Sequence, residues 1–559
     1  MIPALTFLVV TGLVMLAERS VEHLLFAIAA FCLSTAVLLL VVADFDRAIL
    51  LAGLLAATII AASTVKYNHS ALKLIVTDLP LLFAGTVPFF IVQYPRAVLG
   101  AVTGAAALAS AAGAALVYGA GTPVDLEIRV LLFGLALVGI ATACRSGGAE
   151  SFQRITAQRR CFYSTFMASL IDPRSWRQFR GLALSDIASD PLPLMAAVPA
   201  GSSDYPDIII IQHESIFDPR VLGLRVEPTV EGFLSPEHGL HGTLNVDIFG
   251  GGSWQSEFSL LTGLSSASFG SSAYYLFKQG AGRFHHSLPH ALTALGYKTM
   301  LASSCRRSFL DYDEFYRSIG IGERIFSEDF PAPFDVREFE TTNSDALFLK
   351  AALAAHTKNI AGDSAPRFLY ALTNFNHGPH DRRLAAHGEF ERERAFAASS
   401  VPDARYVEYY ARLAETASTW KRLKSELAAN FPERPMLIVH YGDHQPVVAR
   451  QIDRKLRLPG DERRAFRTFY AIEALNMPGR LVAGPGAELD IAFLGTVVLQ
   501  QAGLPLDPIF ATRASLLEQC RATYFASASE RKRRFHRTLV DLGMIDLGVG
   551  LAPGVQRGR

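Results

Sequence analysis

Apolar runs crowd the first quarter of this chain, at 2–16, 24–43, 48–65, 79–92, 98–117 and 130–144. Several approach the ~20 residues that carry a helix across the hydrocarbon of a bilayer. In lipid the backbone must satisfy its own hydrogen bonds, so such runs fold as helices or not at all. Residues 1–145 therefore read as a bundle of five or six transmembrane helices. A cleaved leader does not account for the pattern, which continues far past one apolar h-region. The small residues between Gly104 and Gly113 predict close helix packing. This apolar quarter lifts the mean hydropathy of the 559-residue chain to +0.24.

Loop charges within the bundle (Arg19, Arg47, Lys66, Lys73, Arg96, Arg129) give no clear orientation. Residues 146–205 follow as a connecting segment. Arg154, Arg159, Arg160, Arg174, Arg177 and Arg180 there point to the cytoplasm by the positive-inside rule. The same stretch also reads as an interfacial segment, with Phe162, Tyr163, Phe166 and Trp176 dipping into lipid. Residues 191–206 are rich in Pro, Ala, Gly and Ser and read as a linker. A net charge of +1 gives no global field for nucleic acid. Five scattered cysteines (Cys32, Cys144, Cys161, Cys305, Cys520) show no metal spacing and are expected unpaired.

From residue 206 to about 520, strand-like runs alternate with helical patterns, the signature of an α/β sheet covered by helices. Strands are expected at 208–212, 298–302, 368–373, 436–441 and 468–472, and helices at 288–295, 345–356 and 404–429. The tyrosines and Trp420 of the last helix read as a packing stripe. Residues 521–559 read as a basic tail whose charged run, 530–537, is a solvated helix face.

The chemistry gathers after the strands, where open α/β sheets place their ligands. The first strand runs into His213-Glu214-Ser215, the third into Asn374-Phe-Asn-His377-Gly-Pro-His380, and the fourth into Gly442-Asp443-His444. Between the first two lies Phe249-Gly-Gly-Gly-Ser253-Trp254-Gln-Ser256-Glu257, followed by a short apolar helix. Glycines permit close backbone approach, and a hydroxyl at a helix N-terminus sits where an anion is favoured. By itself Ser253 reads equally well as an N-cap. Glu214, Asp443 and His444 beside a serine are oxygen and nitrogen ligands for a divalent metal that activates a hydroxyl nucleophile.

These motifs, in this order, resemble the alkaline-phosphatase/sulfatase superfamily, in particular membrane enzymes of the lipoteichoic acid synthase and phosphoglycerol transferase type. The resemblance rests on the Ile-Ile-Ile-Ile-Gln-His-Glu214 strand, the Gly-Gly-Ser253 segment, Asn-Phe-Asn-His377, the Arg405-Tyr-Val-Glu-Tyr-Tyr helix and Gly-Asp443-His444. It implies a membrane bundle followed by a sulfatase-like catalytic domain at 206–520. It implies one Mn2+ or Mg2+ ion on Glu214, Ser253, Asp443 and His444. Ser253 would be the nucleophile, and His377 would hold the phosphoryl group or assist proton transfer to the acceptor. Further substrate contacts are expected from Trp254, His380, Arg306 and Arg307. The implied reaction moves phosphoglycerol from phosphatidylglycerol, or a related phospholipid, to an envelope glycan, at the outer face of the cytoplasmic membrane. That placement reads the Arg-rich 154–180 segment as interfacial.

Three departures bear on the reading. Serine stands where the family usually has threonine, with Ser256 as a rival. The family's Trp-Asn-Arg segment is replaced around Phe309 and Tyr312, which puts the donor head group in question. The sulfatase Cys/Ser-x-Pro-x-Arg signature is absent. The alternatives are phosphoethanolamine transfer or phosphodiester hydrolysis at the same site, and a non-catalytic scaffold in glycan export.

Overall fold

The computed structural model describes residues 2–18, 24–70, 73–79, 95–118, 121–146, 161–171 and 181–548, apart from 183, 185, 202–203, 308, 310–311, 332–333, 335–343, 359, 361–362, 386–387, 462, 478–483 and 521–528. The chain divides into two compact units, Met1–Phe179 and Arg180–Arg559.

The first unit is helical: α1 (Ile2–Glu18), α2 (Leu24–Val42), α3 (Phe45–Ser70), α4 (Pro95–Tyr118), α5 (Leu126–Ser146) and a short α6 (Phe162–Ile171). Among the described residues three segments are long and apolar enough to cross a membrane: Leu25–Val42, Phe45–Tyr67 and Leu126–Cys144. The apolar runs 2–16 and 98–117 are helical too but shorter in their apolar part. The run 79–92 falls almost wholly outside the described residues.

Two expectations are corrected in this unit. Tyr163 and Phe166 are buried against Val14, Phe26, Phe31 and Ile140, and Phe162 is buried beside Tyr67, so they form protein core and do not dip into lipid. The Glu18 carboxylate accepts from the backbone N–H groups of Tyr163 (2.6 Å) and Ser164 (3.2 Å), satisfying orphan donors at the start of α6. The arginines at 154–160 and 174–180, and Trp176, lie outside the described residues. The small-residue run of α4 is mostly exposed, and a Cβ added at Gly104 or Gly113 meets nothing within 4 Å. Among the described residues it is not a close-packing face.

The second unit is built on one sheet of nine strands: β1 (Asp207–His213), β2 (Gly239–Asn245), β3 (Lys298–Ser303), β4 (Glu323–Ile325), β5 (Arg367–Leu372), β6 (Met436–Gly442), β7 (Arg467–Leu475), β8 (Gly484–Pro485) and β9 (Leu489–Asp490). Its order is β4-β3-β5-β1-β6-β7-β2-β8, with β9 also on β2. Strands β4, β3, β5, β1 and β6 run parallel, while β7 is antiparallel to both β6 and β2. β1 lies at the centre and is buried along its whole length. Alternate residues feed two separate cores, as a pleat covered on both faces requires. Ile208 and Ile210 join the core with Phe258 and Phe315, while Ile209 and Ile211 join the one with Tyr409 and Trp420.

Five of the nine strands fall where the sequence places them. The helices that matter below are α7 (Trp254–Thr262), α8 (Tyr312–Ser318), α9 (Asp345–Thr357), α10 (Ala404–Asn430), α11 (Val447–Leu456) and α12 (Glu530–Asp541). The basic tail is corrected by α12. Its Phe535, His536 and Leu539 are buried, and buried Lys532 pairs with Asp186 at 2.6 Å. The Leu192 N–H, at the start of the expected linker, donates to Thr538 Oγ1 at 2.8 Å, and the Ala188 N–H before it to the Arg533 carbonyl at 3.1 Å, so both are tied to α12. All five cysteines are unbridged.

Candidate metal and nucleophile site

Because β1, β5 and β6 are parallel neighbours, their carboxyl ends open at one edge of the sheet. β1 delivers Glu214 there, β5 the loop to His377, and β6 Asp443 with His444. Gly442 permits the close approach of the first and last of these. A Cβ on it would lie 1.7 Å from the Ile216 carbonyl oxygen.

Ser253 reaches this edge from the other side of the sheet order, through the triglycine turn. Gly250, Gly251 and Gly252 have φ of 74°, 148° and 91°, a run of left-handed backbone that side chains rarely adopt. The turn is stitched to the Asp-His loop, for the Gly250 N–H donates to the Gln445 carbonyl at 2.9 Å. Ser253 makes no side-chain cap for α7. Its Oγ instead donates to Glu214 Oε2 at 2.7 Å and lies 3.5 Å from His444 Nε2. Ser256 is fully buried with its hydroxyl on the Asp443 carbonyl at 2.7 Å, which removes it as a rival nucleophile.

One ligand atom each from Glu214, Asp443 and His444 lies within 4.8 Å of the others. His444 Nε2 is 3.4 Å from Glu214 Oε1 and 3.6 Å from Asp443 Oδ2. Asp443 Oδ1 accepts from the N–H groups of Ser215 and His444, both at 2.7 Å, which fixes the carboxylate. Its Oδ2 is buried and accepts no hydrogen bond. An orphaned buried carboxylate oxygen is costly unless a cation meets it. The charge balance agrees. Burial opposes ionisation of Glu214, but His444 and then His377 hold it well below the usual carboxylate range. Burial and the Glu214 charge push Asp443 well above its own range. Burial also disfavours charge on His444, yet Asp443 and Glu214 raise it to about 9. The cluster thus draws positive charge to itself, and two carboxylates with an imidazole and a hydroxyl are a donor set that fits a divalent metal.

The remaining expected residues divide. His377 lies on the β5 loop, with its Nδ1 2.6 Å from the Gly378 carbonyl oxygen, and near enough for its charge to act on Glu214. His380 is buried, its Nε2 on the Asn376 carbonyl at 2.9 Å and its ring edge-on to Tyr409. Burial, then Arg412, lowers its pKa to about 3. It packs the loop rather than facing a ligand. Arg307 is committed to Asp313 (3.2 Å) and Asp329 (2.5 Å) and stacks on Phe326. Arg306 is half-buried on the loop after β3. Trp254 is buried, donating from Nε1 to the Tyr274 carbonyl at 2.7 Å, so it holds the turn in place.

Sequence reading passed over two arginines. Arg412 of α10 is fully buried and donates to the carbonyls of His377 (3.1 Å), Pro379 (3.4 Å) and Arg382 (2.7 Å), shaping the His377 loop. Arg450 of α11 lies 4.2 Å from the ring centre of Phe249, at the entrance to the triglycine turn. The signal for Arg412 was its place seven residues after Arg405 on the helix preceding β6; for Arg450 there was none.

The sulfatase family model matches residues 206–467. A protein of Haemophilus influenzae, described only as an uncharacterized protein, is 23% identical over 316 residues, covering 55% of this chain and 56% of its own length. The chain thus spans about half the length of that relative. Among solved structures, the Streptococcus pyogenes phosphoglycerol transferase GacH in complex with sn-glycerol-1-phosphate is 16% identical, covering 61% of this chain and 85% of its own, with a TM-score of 0.45. The Listeria monocytogenes lipoteichoic acid synthase LtaP is 15% identical, covering 59% and 78%, with a TM-score of 0.42. The stretch that the sulfatase family model matches, residues 206–467, is the one that carries Glu214, Ser253, Asp443 and His444.

Proposed function

We propose that this protein is a metal-dependent phosphotransferase that moves phosphoglycerol from phosphatidylglycerol to an envelope glycan through a seryl intermediate. The observation that carries the reading is the Ser253 hydroxyl, 2.7 Å from Glu214 and beside the Asp443–His444 pair, in a chain whose described residues include three helices of membrane-spanning character. A lipid-linked donor fits that combination. The catalytic domain is placed on the outer face of the cytoplasmic membrane, where such a donor meets a glycan.

A Mn2+ or Mg2+ ion on Glu214, Ser253, Asp443 and His444 supplies, when bound, charge that favours the serine alkoxide and neutralises phosphoryl oxygens. The protein's own residues do the rest. Glu214, kept ionised, orients the Ser253 hydroxyl. Ser253 Oγ loses its proton to solvent as it bonds to phosphorus, and the phosphorus–oxygen bond to diacylglycerol breaks. The departing oxygen takes a proton from His377. In the second displacement the deprotonated His377 takes the proton of a glycan hydroxyl as that oxygen bonds to phosphorus, the phosphorus–oxygen bond to Ser253 breaks, and the serine regains a proton from solvent. Two in-line displacements move the head group between acceptors where a single one to water would hydrolyse it.

One observation favours a second reading, phosphoethanolamine transfer or phosphodiester hydrolysis at the same site. Arg307 is tied to acidic partners, which leaves Arg306 as the expected basic contact for a glycerol phosphate. The test is diacylglycerol release by full-length protein with Mn2+ from labelled phosphatidylglycerol, beside phosphatidylethanolamine and the Ser253→Ala variant. Release from phosphatidylglycerol that vanishes in the variant is expected. Release from phosphatidylethanolamine alone discards the donor, and no release with metal bound discards the reading.

A further inference from the structure

One layer beneath the metal cluster lies a polar network that the reaction does not use. Glu257 sits one turn after Ser253 on α7, and its N–H donates to the Ser253 carbonyl at 3.1 Å. Its side chain is buried among apolar residues and has both oxygens engaged. Gln212 Nε2 donates to Oε1 at 3.2 Å, and the Tyr316 hydroxyl of α8 donates to Oε2. Gln212 Oε1 in turn accepts from the Tyr441 hydroxyl and, at 3.2 Å, from the Tyr370 hydroxyl, and those two phenols are 2.7 Å apart.

The positions in the chain give the network its meaning. Gln212 is two residues before Glu214 on β1, and Tyr441 is two residues before Asp443 on β6. They are direct partners in the β1–β6 register. Glu257 is four residues after Ser253. One set of directional hydrogen bonds thus ties together the three elements that deliver a carboxylate ligand, a second carboxylate ligand and the nucleophile. Apolar contact alone lets a helix slide on a sheet, whereas a site of this kind needs its groups held to within ~0.5 Å. Among the described residues no basic side chain joins the network. Burial pushes Glu257 up to about 8.

We propose that Glu257 is a positioning residue: through Gln212, Tyr441 and Tyr316 it registers Ser253 against Glu214 and Asp443. The turnover part of this inference rests on the function proposed above, but the metal-binding part does not.

The experiment measures Mn2+ affinity by calorimetry and thermal unfolding for the full-length wild type, Glu257→Gln, Glu257→Leu and Tyr316→Phe. Glu257→Gln keeps a neutral hydrogen-bonding group and is expected to bind Mn2+ within about threefold of wild type. Glu257→Leu is expected to bind about tenfold more weakly while still folded, the size of loss seen when groups supporting metal ligands are removed. Tyr316→Phe removes one hydroxyl from a buried ring and is expected to fall between. A residue with a merely structural role lowers the melting temperature and leaves the affinity of the folded protein alone. Wild-type affinity in folded Glu257→Leu overturns the inference. Should that variant not fold, unchanged affinity in Tyr316→Phe overturns it. A wild type that binds no Mn2+ overturns it as well. A wild type that binds Mn2+ but leaves phosphatidylglycerol intact refutes the proposed function only, and the affinity comparison still decides this inference.

Discussion

Gly442→Ala is the substitution for which the structure gives the sharpest expectation. Gly442 ends β6, one residue before Asp443, and a Cβ there would lie 1.7 Å from the Ile216 carbonyl oxygen and 2.8 Å from its carbon. That is about 1.5–2 Å short of van der Waals contact, and the obstruction is backbone, not the movable end of a side chain. Either the Ser215–Phe217 segment or the Asp443 turn must shift by a comparable distance. Both carry the site, since Ser215 donates to Glu214 and to Asp443. Metal sites tolerate roughly 0.2 Å in ligand distance, so displacement on this scale removes at least one ligand. Overpacking of this type costs about 1–3 kcal/mol or more in stability. We expect Mn2+ affinity of the folded variant to fall by a factor of about 10–100. Gly460→Ala is the control, because a Cβ there meets nothing within 4 Å. Calorimetric titration and thermal unfolding of the two variants make the test. Wild-type affinity and melting temperature in Gly442→Ala would refute the reasoning, since they would mean that β1 and β6 do not converge at this point.

Other expectations follow from single features. Ser253→Ala should abolish turnover, while Ser256→Ala, which loses one buried hydrogen bond to the Asp443 carbonyl, should keep it and lose about 1 kcal/mol of stability; turnover assays that reverse the two would exchange their roles. Arg412→Met leaves the His377 loop carbonyls and Glu408 without their buried cation and should cost about 3–5 kcal/mol, with faster amide exchange over residues 373–382. Unchanged exchange there would show that Arg412 does not hold the loop. Burial keeps His213, His356 and His380 neutral down to about pH 3, and His536 to about 4, so each subtracts about 1.4 kcal/mol per pH unit as pH falls below ~6.5, where the unfolded chain takes up protons. Glu257, held protonated up to about 8, has the opposite sign and loses stability as pH rises from its unfolded value toward 8. Denaturant titrations should therefore place the stability maximum near pH 6.5; a steady gain from pH 7 to pH 5 would contradict this sign.

The five central strands were legible because they are short, β-branched or aromatic runs between turn residues, and their C-terminal motifs carried the site. β2 was not, since Gly-Leu-His-Gly-Thr-Leu-Asn has no apolar alternation; its place depends on pairing with β7. Glu214, Ser253, Asp443 and His444 were named from the residues that follow the strands. Arg307 and His380 looked like ligand contacts because they are polar and lie in loops. The fold turns Arg307 onto Asp313 and Asp329 and buries His380 on Asn376 and against Tyr409, and of these Asp329 and Tyr409 are distant in sequence. Phe162, Tyr163 and Phe166 show the same limit, for an aromatic stripe has the same pattern whether it meets lipid or protein.

Sequence alone determined the two-part plan, an apolar helical quarter followed by an α/β domain, because hydrophobic periodicity and segment length are local properties of the chain. It also determined which oxygen and nitrogen groups are available at the sheet edge. Tertiary structure decided the rest: that the Ser253 hydroxyl faces Glu214 instead of capping its helix, that Ser256 is sealed beneath Asp443, and that the C-terminal basic helix is half core. Each depends on what approaches from a distant part of the chain, and that proximity is set by packing and register across the sheet.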